Sequence, residues 1–243
     1  MKSLPLLRLA IDIALPPRCL KCGTVVDRTR GLCPTCWESL DFIAPPLCDH
    51  CGLPFEFDPG AGAVCGSCVG SPPPFQKARS VFRYNDASKG LILALKHGDK
   101  THTAAGLGAW MARAGAMFAE DCDLIVPVPL HWTRLFHRRF NQAALLANAV
   151  GRQWQVPVDP MILRRVKRTP SLGLLSRDAR TQTLQGAFKV MDRRQVLCGK
   201  SVVLIDDVLT SGATAAGCAR ALLKAGARSI SVLTLARVTR AQG

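Results

Sequence analysis

Eight of the chain's eleven cysteines fall between Cys19 and Cys68, and all eight stand in Cys-x-x-Cys pairs. No other feature of the 243 residues restricts the fold as tightly. Two residues between cysteines let both sulfurs of a tight turn point at one ion. Two such turns supply four soft ligands, the set that tetrahedral Zn²⁺ prefers. The pairs come as two units: Cys19, Cys22, ten residues, Cys33, Cys36; then Cys48, Cys51, thirteen residues, Cys65, Cys68. Gly23 and Gly52 directly follow the first pair of each unit, as a tight turn favours. A span of about sixty residues builds little core, so metal supplies its folding energy. Four thiolates also fill a zinc shell and leave no open position for catalysis. Two structural Zn²⁺ sites are therefore expected. Pairing in sequence order is the first choice, and a cross-braced pairing fits the same spacing. His50 lies inside a pair and is not needed as a ligand. Cys122, Cys198 and Cys218 stand apart and read as small buried hydrophobes.

A secreted disulfide scaffold is the rival reading of so many cysteines. The opening MKSLPLLRLAIDIALPPRC is interrupted by Arg8 and Asp12, so it does not read as a secretory leader. Metal-bound thiolates in a reducing cytoplasm fit better. No stretch has the apolar length of a transmembrane span. The net charge is +15, from 32 basic and 17 acidic side chains. That excess attracts phosphates and leaves nucleic acid, a phosphorylated small molecule and an anionic membrane surface open as partners.

Residues 4–15 read as a short amphipathic helix, ended by Pro16-Pro17. Cys, Pro and Gly dominate residues 16–75, and GSPPPF at 70–75 reads as a linker. The texture then changes. Strands are expected at 80–86, 123–129, 161–167, 201–207 and 229–238. Helices are expected at 88–98, 102–119, 141–154 and 211–226. Strands alternating with helices predict an α/β fold with a mostly parallel sheet and helices on both faces. The division is a helix and double zinc ribbon over 1–75 and the α/β domain over 76–243.

The segment VVLIDDVLTSGAT, residues 202–214, carries the chemistry. Ligands of an open parallel sheet bind beyond the carboxyl ends of its strands. Asp206 and Asp207 stand at such an end, where paired carboxylates suit vicinal sugar hydroxyls, directly or through Mg²⁺. Thr210, Ser211, Gly212, Ala213 and Thr214 then enter a helix. Backbone N–H groups and hydroxyls there suit a phosphate. Diol binding beside phosphate binding describes a ribose 5-phosphate pocket.

This segment closely resembles the phosphoribosyl-pyrophosphate (PRPP) signature of type I phosphoribosyltransferases. The resemblance implies that Asp206 and Asp207 contact ribose and that residues 210–214 hold the 5-phosphate. VPVPLHWTRLFHRRFNQA, residues 126–143, resembles the pyrophosphate-loop region of the ComF subgroup, and it gathers Arg134, His137, Arg138 and Arg139. Arg139 stands where that subgroup's Arg-Gly-Phe-Asn-Gln run has glycine. Residues 164–188 resemble the hood, with Thr169, Arg180 and the closing Gly186-Ala187-Phe188. Leu172 and Thr183 replace the glutamine and asparagine often found there. Lys96 matches a subgroup lysine that would touch phosphate; a solvated helix-end lysine is the plain alternative. Zinc ribbons, signature and FNQ run together cover nearly the whole chain and resemble the ComF family, which is associated with competence and DNA uptake.

The resemblance implies a type I phosphoribosyltransferase-like domain that binds PRPP with Mg²⁺, through Arg134, Arg138 and Arg139 on pyrophosphate. A transferase would stabilise positive charge developing on the sugar. No residue stands out as a general base, and no nucleobase pocket identifies an acceptor, so catalysis stays open. The alternative is a non-catalytic accessory of DNA uptake that binds single-stranded DNA or docks partner proteins and keeps the pocket as sensor or scaffold. Aromatic residues make up only 6% of the chain, which limits base-stacking platforms.

Overall fold

The computed structural model describes residues 16–96, 103–168, 179, 182–192 and 195–239. The expected helix over 4–15 lies outside the described residues. The front of the chain is loop-built, as its Cys, Pro and Gly content requires. It holds two five-residue helices, α1 (Pro34–Glu38) and α2 (Gly66–Gly70), each opening directly after a cysteine.

The α/β part begins with β1 (Lys77–Arg83), then α3 (Asp86–Lys96) and α4 (Ala104–Ala114). A short 3₁₀ turn, Ala116–Phe118, leads to β2 (Leu124–Pro127), α5 (Trp132–Arg138) and α6 (Gln142–Trp154). The pair β3 (Leu163–Arg165) and β4 (Phe188–Val190) follows, then β5 (Ser201–Leu209), α7 (Ala213–Lys224) and β6 (Ser229–Arg237). Four strands form one parallel sheet in the order β1-β6-β5-β2. The expected α/β class is observed. The segment expected as a strand at 161–167 does not join that sheet. It pairs antiparallel with β4 in a separate two-stranded sheet.

Each face of the sheet buries its own core. Helix α7 contributes Ala215, Cys218, Ala219 and Leu222 to one face, with Leu204 and Val232 from the strands. Helices α4 and α6 contribute Leu107, Met111, Leu146 and Val150 to the other, with Ile205 and Leu233. Central strands buried on both sides account for their near-continuous apolar runs. The chain leaving β2 therefore turns to the α4/α6 face, while the chain leaving β5 turns to the α7 face. Adjacent strands whose connections part to opposite faces open a crevice at their carboxyl ends. That crevice lies between β2 and β5.

The zinc-ribbon region packs against the free edge of β1. Ile43 and Arg83 donate backbone N–H groups to Val81 and Asp41. Ala78 N–H donates to His50 O at 2.6 Å. Gly52 adopts φ +66°, and a Cβ there would strike the Ala78 carbonyl, so only glycine allows this approach. A ring cluster of Trp37, Phe42, Phe82 and Trp110 seals the same junction. No helix among the described residues is long and apolar enough to cross a membrane.

Candidate functional site

The cysteines gather into two clusters in sequence order, Cys19/Cys22/Cys33/Cys36 and Cys48/Cys51/Cys65/Cys68. Sequential pairing is thus what the structure adopts. In each cluster the sulfurs lie within 4.8 Å of one another. Cys22 Sγ and Cys33 Sγ are 3.7 Å apart, as are Cys51 Sγ and Cys65 Sγ. A tetrahedron with Zn–S bonds of about 2.3 Å separates its sulfurs by about 3.8 Å. Both clusters fit zinc by donor type and by spacing, and they are two Cys₄ zinc sites.

The remaining cysteines differ from one another. Cys218 is fully buried, as expected. Cys122 is half-buried, and desolvation pushes its thiol up to about 11. Cys198 is exposed, which corrects the expectation of a buried residue. It sits in the turn before β5, where no core covers it.

At the crevice, β5 runs through the acid pair to Leu209, two residues beyond the expected strand. Asp206 is half-buried and Asp207 buried. Successive strand residues face opposite sides of a sheet. Asp206 is on the α7 side. Cys218 on that helix has its thiol pushed up by burial and further by the Asp206 charge, with Arg165 acting the other way. Asp206 Oδ1 also accepts the Asp207 N–H at 2.9 Å, which holds this carboxylate against its own backbone.

The loop that follows is short and polar. Thr210 is exposed, Ser211 and Thr214 are half-buried, and Ala213 is buried as the first residue of α7. Gly212 caps the helix with φ +79°, and a Cβ there would meet open space. No side chain among the described residues caps this helix start. Ser211 Oγ is buried with no hydrogen-bond partner among the described residues. A buried hydroxyl without a partner beside uncapped N–H groups is costly unless an acceptor arrives. An oxyanion supplies that acceptor, and the helix dipole favours it.

Across the crevice, Val128 N–H donates to Ile205 O at 2.8 Å, so the chain leaving β2 starts next to the acid pair. Helix α5 carries Arg134 and Arg138 along its length, with their side chains outside the described residues, as is that of Lys96 at the end of α3. Arg139 ends α5 with φ +63°, and its backbone N–H donates to Leu135 O at 2.7 Å. A left-handed turn is where glycine is cheapest, and a residue with Cβ pays roughly 1–2 kcal/mol. Arg139 is exposed. Arg139→Gly is accordingly expected to keep or raise stability by up to about 1 kcal/mol in thermal unfolding. A clear loss of stability would show that the arginine side chain anchors the turn.

Sequence reasoning missed what closes this loop. Asn141 caps α6 by accepting from Ala143 N–H at 3.0 Å, while its Nδ2 donates to Val128 O at 3.1 Å. One side chain thereby ties the end of the loop to its start. The FNQ run was the available signal. At the hood, residues 169–178 and 180–181 lie outside the described residues, Thr169, Leu172 and Arg180 among them. Its base is closed by Val166 N–H to Ala187 O at 2.8 Å and Lys167 Nζ to Gln185 O at 2.8 Å. Arg165 lies over the Phe188 ring, 5.6 Å from its centroid.

The sheet and the two cysteine clusters define a double-zinc-ribbon α/β protein. Residues 10–69 match the family described as double zinc ribbon domain. Competence protein F of Haemophilus influenzae is 31% identical over 227 residues, covering 90% of this chain and 96% of its own. DNA utilization protein YhgH of Salmonella typhimurium is 30% identical, covering 93% and 99%. Competence protein ComFC of Bacillus subtilis is 29% identical, covering 85% and 84%. The chain belongs to the ComF family. Among solved structures, a phosphoribosylpyrophosphate synthetase from Mycobacterium smegmatis overlaps 52% of this chain and 31% of its own at 15% identity, TM-score 0.33. TT1426 from Thermus thermophilus overlaps 58% and 85% at 15% identity, TM-score 0.35.

Proposed function

We propose that the crevice between β2 and β5 binds PRPP, and that this chain serves, in the cytoplasm, the competence or DNA utilization for which its relatives are named. The observation that carries the reading is the crevice itself. Two connections part to opposite faces there, and the acid pair and the uncapped helix start both border the opening. Ser211 Oγ and the first N–H groups of α7 receive the 5-phosphate, with Thr210, Gly212, Ala213 and Thr214 completing the loop. Gly212 lets that backbone come close. Asp206 and Asp207 accept from the ribose hydroxyls at the end of β5. Arg134, Arg138, Arg139 and Lys96 attract the pyrophosphate. Mg²⁺ bound with PRPP neutralises pyrophosphate charge. Residues 1–75 and 76–243 act as ribbon module and ligand domain.

Transfer of the phosphoribosyl group needs the pyrophosphate to leave and positive charge on ribose to be balanced. The carboxylates beside ribose and the cations beside pyrophosphate supply those two terms by position alone. A specific observation also favours the nucleic-acid reading. Trp132 and Phe136, 69% and 81% exposed, stand one helical turn apart on α5. Exposed rings beside basic residues suit stacked bases.

Hydrogen exchange tests the location. PRPP with Mg²⁺ is expected to slow amide exchange at least tenfold over 206–216, with smaller protection over 128–139. Protection confined to other segments would place the ligand elsewhere.

A further inference from the structure

We infer that the two zinc sites are inequivalent. The second is charge-compensated by the buried Arg237 and the half-buried Arg79 and tied to the sheet through Arg237, and the first is the site that exchanges its metal. This inference rests on the cysteine clusters and stands apart from the PRPP reading.

The clusters share ligands and spacing but not surroundings. In the second, Cys48, Cys51, Cys65 and Cys68 are all 8% exposed or less. In the first, Cys22 is exposed and Cys33 half-buried. Zinc with four thiolates carries two negative charges, and burying them needs compensation. Arg237, itself buried, donates Nη2–H to Cys51 Sγ at 3.2 Å and Nη1–H to Cys51 O. Arg79 donates to Asp49 O at 3.2 Å, and its charge acts on Cys48 and Cys51. Arg79 also faces the Asp49 carboxylate at 3.6 Å, and Lys77 pairs with the same carboxylate at 2.8 Å, so three cations and one carboxylate leave two positive charges beside the two negative charges of the zinc–thiolate unit. Backbone N–H groups of Cys51 and Cys65 also point at Cys48 Sγ, at 3.5 and 3.3 Å. At the first cluster, no cation hydrogen-bonds a sulfur among the described residues. There the backbone N–H groups of Cys22 and Cys33 act on Cys19 as those of Cys51 and Cys65 do on Cys48, and Thr24 Oγ1 lies 3.2 Å from Cys22 Sγ, so the two sites differ in their cations and exposure rather than in their backbone donors.

Arg237 is more than a counter-ion. It is the last residue of β6 and lies opposite Leu209, the last residue of β5. Tyr84 N–H donates to Arg237 O at 2.7 Å, and Val238 N–H donates to Leu209 O at 2.9 Å. One side chain therefore joins the second zinc knuckle to the carboxyl end of the sheet, directly before the 210–214 loop. Hydrogen bonds to metal-bound ligands typically change metal affinity 10- to 100-fold when removed.

Zinc release from the fully loaded chain tests this, with excess EDTA as challenge and a chromophoric chelator as readout. Two phases of one equivalent each are expected. Cys22→Ser should abolish the fast phase. Arg237→Met should speed the slow phase at least tenfold and leave the fast phase within twofold. Arg237→Lys, which keeps the charge but not the fork, should speed the slow phase about threefold, and it carries the test if Arg237→Met does not fold. A slow phase at wild-type rate in either variant overturns the inference, as does acceleration of the phase that Cys22→Ser removes.

Discussion

Cys48→Ser is expected to be the most damaging single change in the chain. Zinc content should fall from two ions to one, and the cooperative thermal transition should vanish or drop by more than ~15 °C. Structural zinc contributes roughly 10–16 kcal/mol of apparent binding energy in small metal-folded peptides. A whole domain has a net stability of only about 5–15 kcal/mol. Even partial loss of the second site therefore competes with the total. Cys48 is fully buried, and its knuckle bonds the edge of β1 through His50 O and contacts β6 through Arg237. The damage should spread into the sheet. Cys22→Ser should also lose one zinc, yet leave most of the melting transition, because Cys22 is exposed and its sulfur bonds Thr24 within its own knuckle. Metal analysis beside thermal melts checks both. Equal melting of the two variants would show that the second site does not support the sheet.

The second large effect falls on the acid pair. Asp206→Asn/Asp207→Asn is expected to weaken PRPP binding at least 100-fold, with the melting temperature within a few degrees of wild type. Asparagine keeps size and some hydrogen bonding but removes both charges. A hydrogen bond to a charged group is worth about 1.5–3 kcal/mol, so losing two reaches that range. Titration calorimetry at fixed Mg²⁺ reads it. Unchanged affinity in the folded variant would remove both residues from the pocket. Salt-dependent binding of oligo(dT) that survives this variant would instead favour α5 and its exposed rings as a separate nucleic-acid surface.

Much of the fold was legible. Long apolar runs marked β5, β6 and β2, and helical periodicity marked α4, α6 and α7 within two or three residues, apart from the 3₁₀ turn that ends the segment after α4. The Cys-x-x-Cys spacing gave both clusters, with the sequential pairing that is observed as first choice and a cross-braced one fitting the same spacing. Other features were hidden for identifiable reasons. Strand β4 is three residues, too short to carry a period, and the expected strand at 161–167 gave no sign that it would pair with β4 apart from the main sheet. The acid pair looked like a strand terminus because charges usually end buried strands, yet β5 continues through it. The Arg237–Cys51 bond spans 186 positions, so no local pattern announces it. The left-handed Arg139 was visible only as a departure from a glycine in the family run. The crevice could not be read from sequence at all, because it depends on β2 lying beside β5 and on which face each helix covers.

Calorimetric titration of the zinc-loaded chain with PRPP, with and without Mg²⁺, tests most directly whether this crevice binds PRPP. Saturable one-to-one binding that tightens when Mg²⁺ is present is expected. No binding heat at several temperatures, from a folded chain holding both zinc ions, would contradict it.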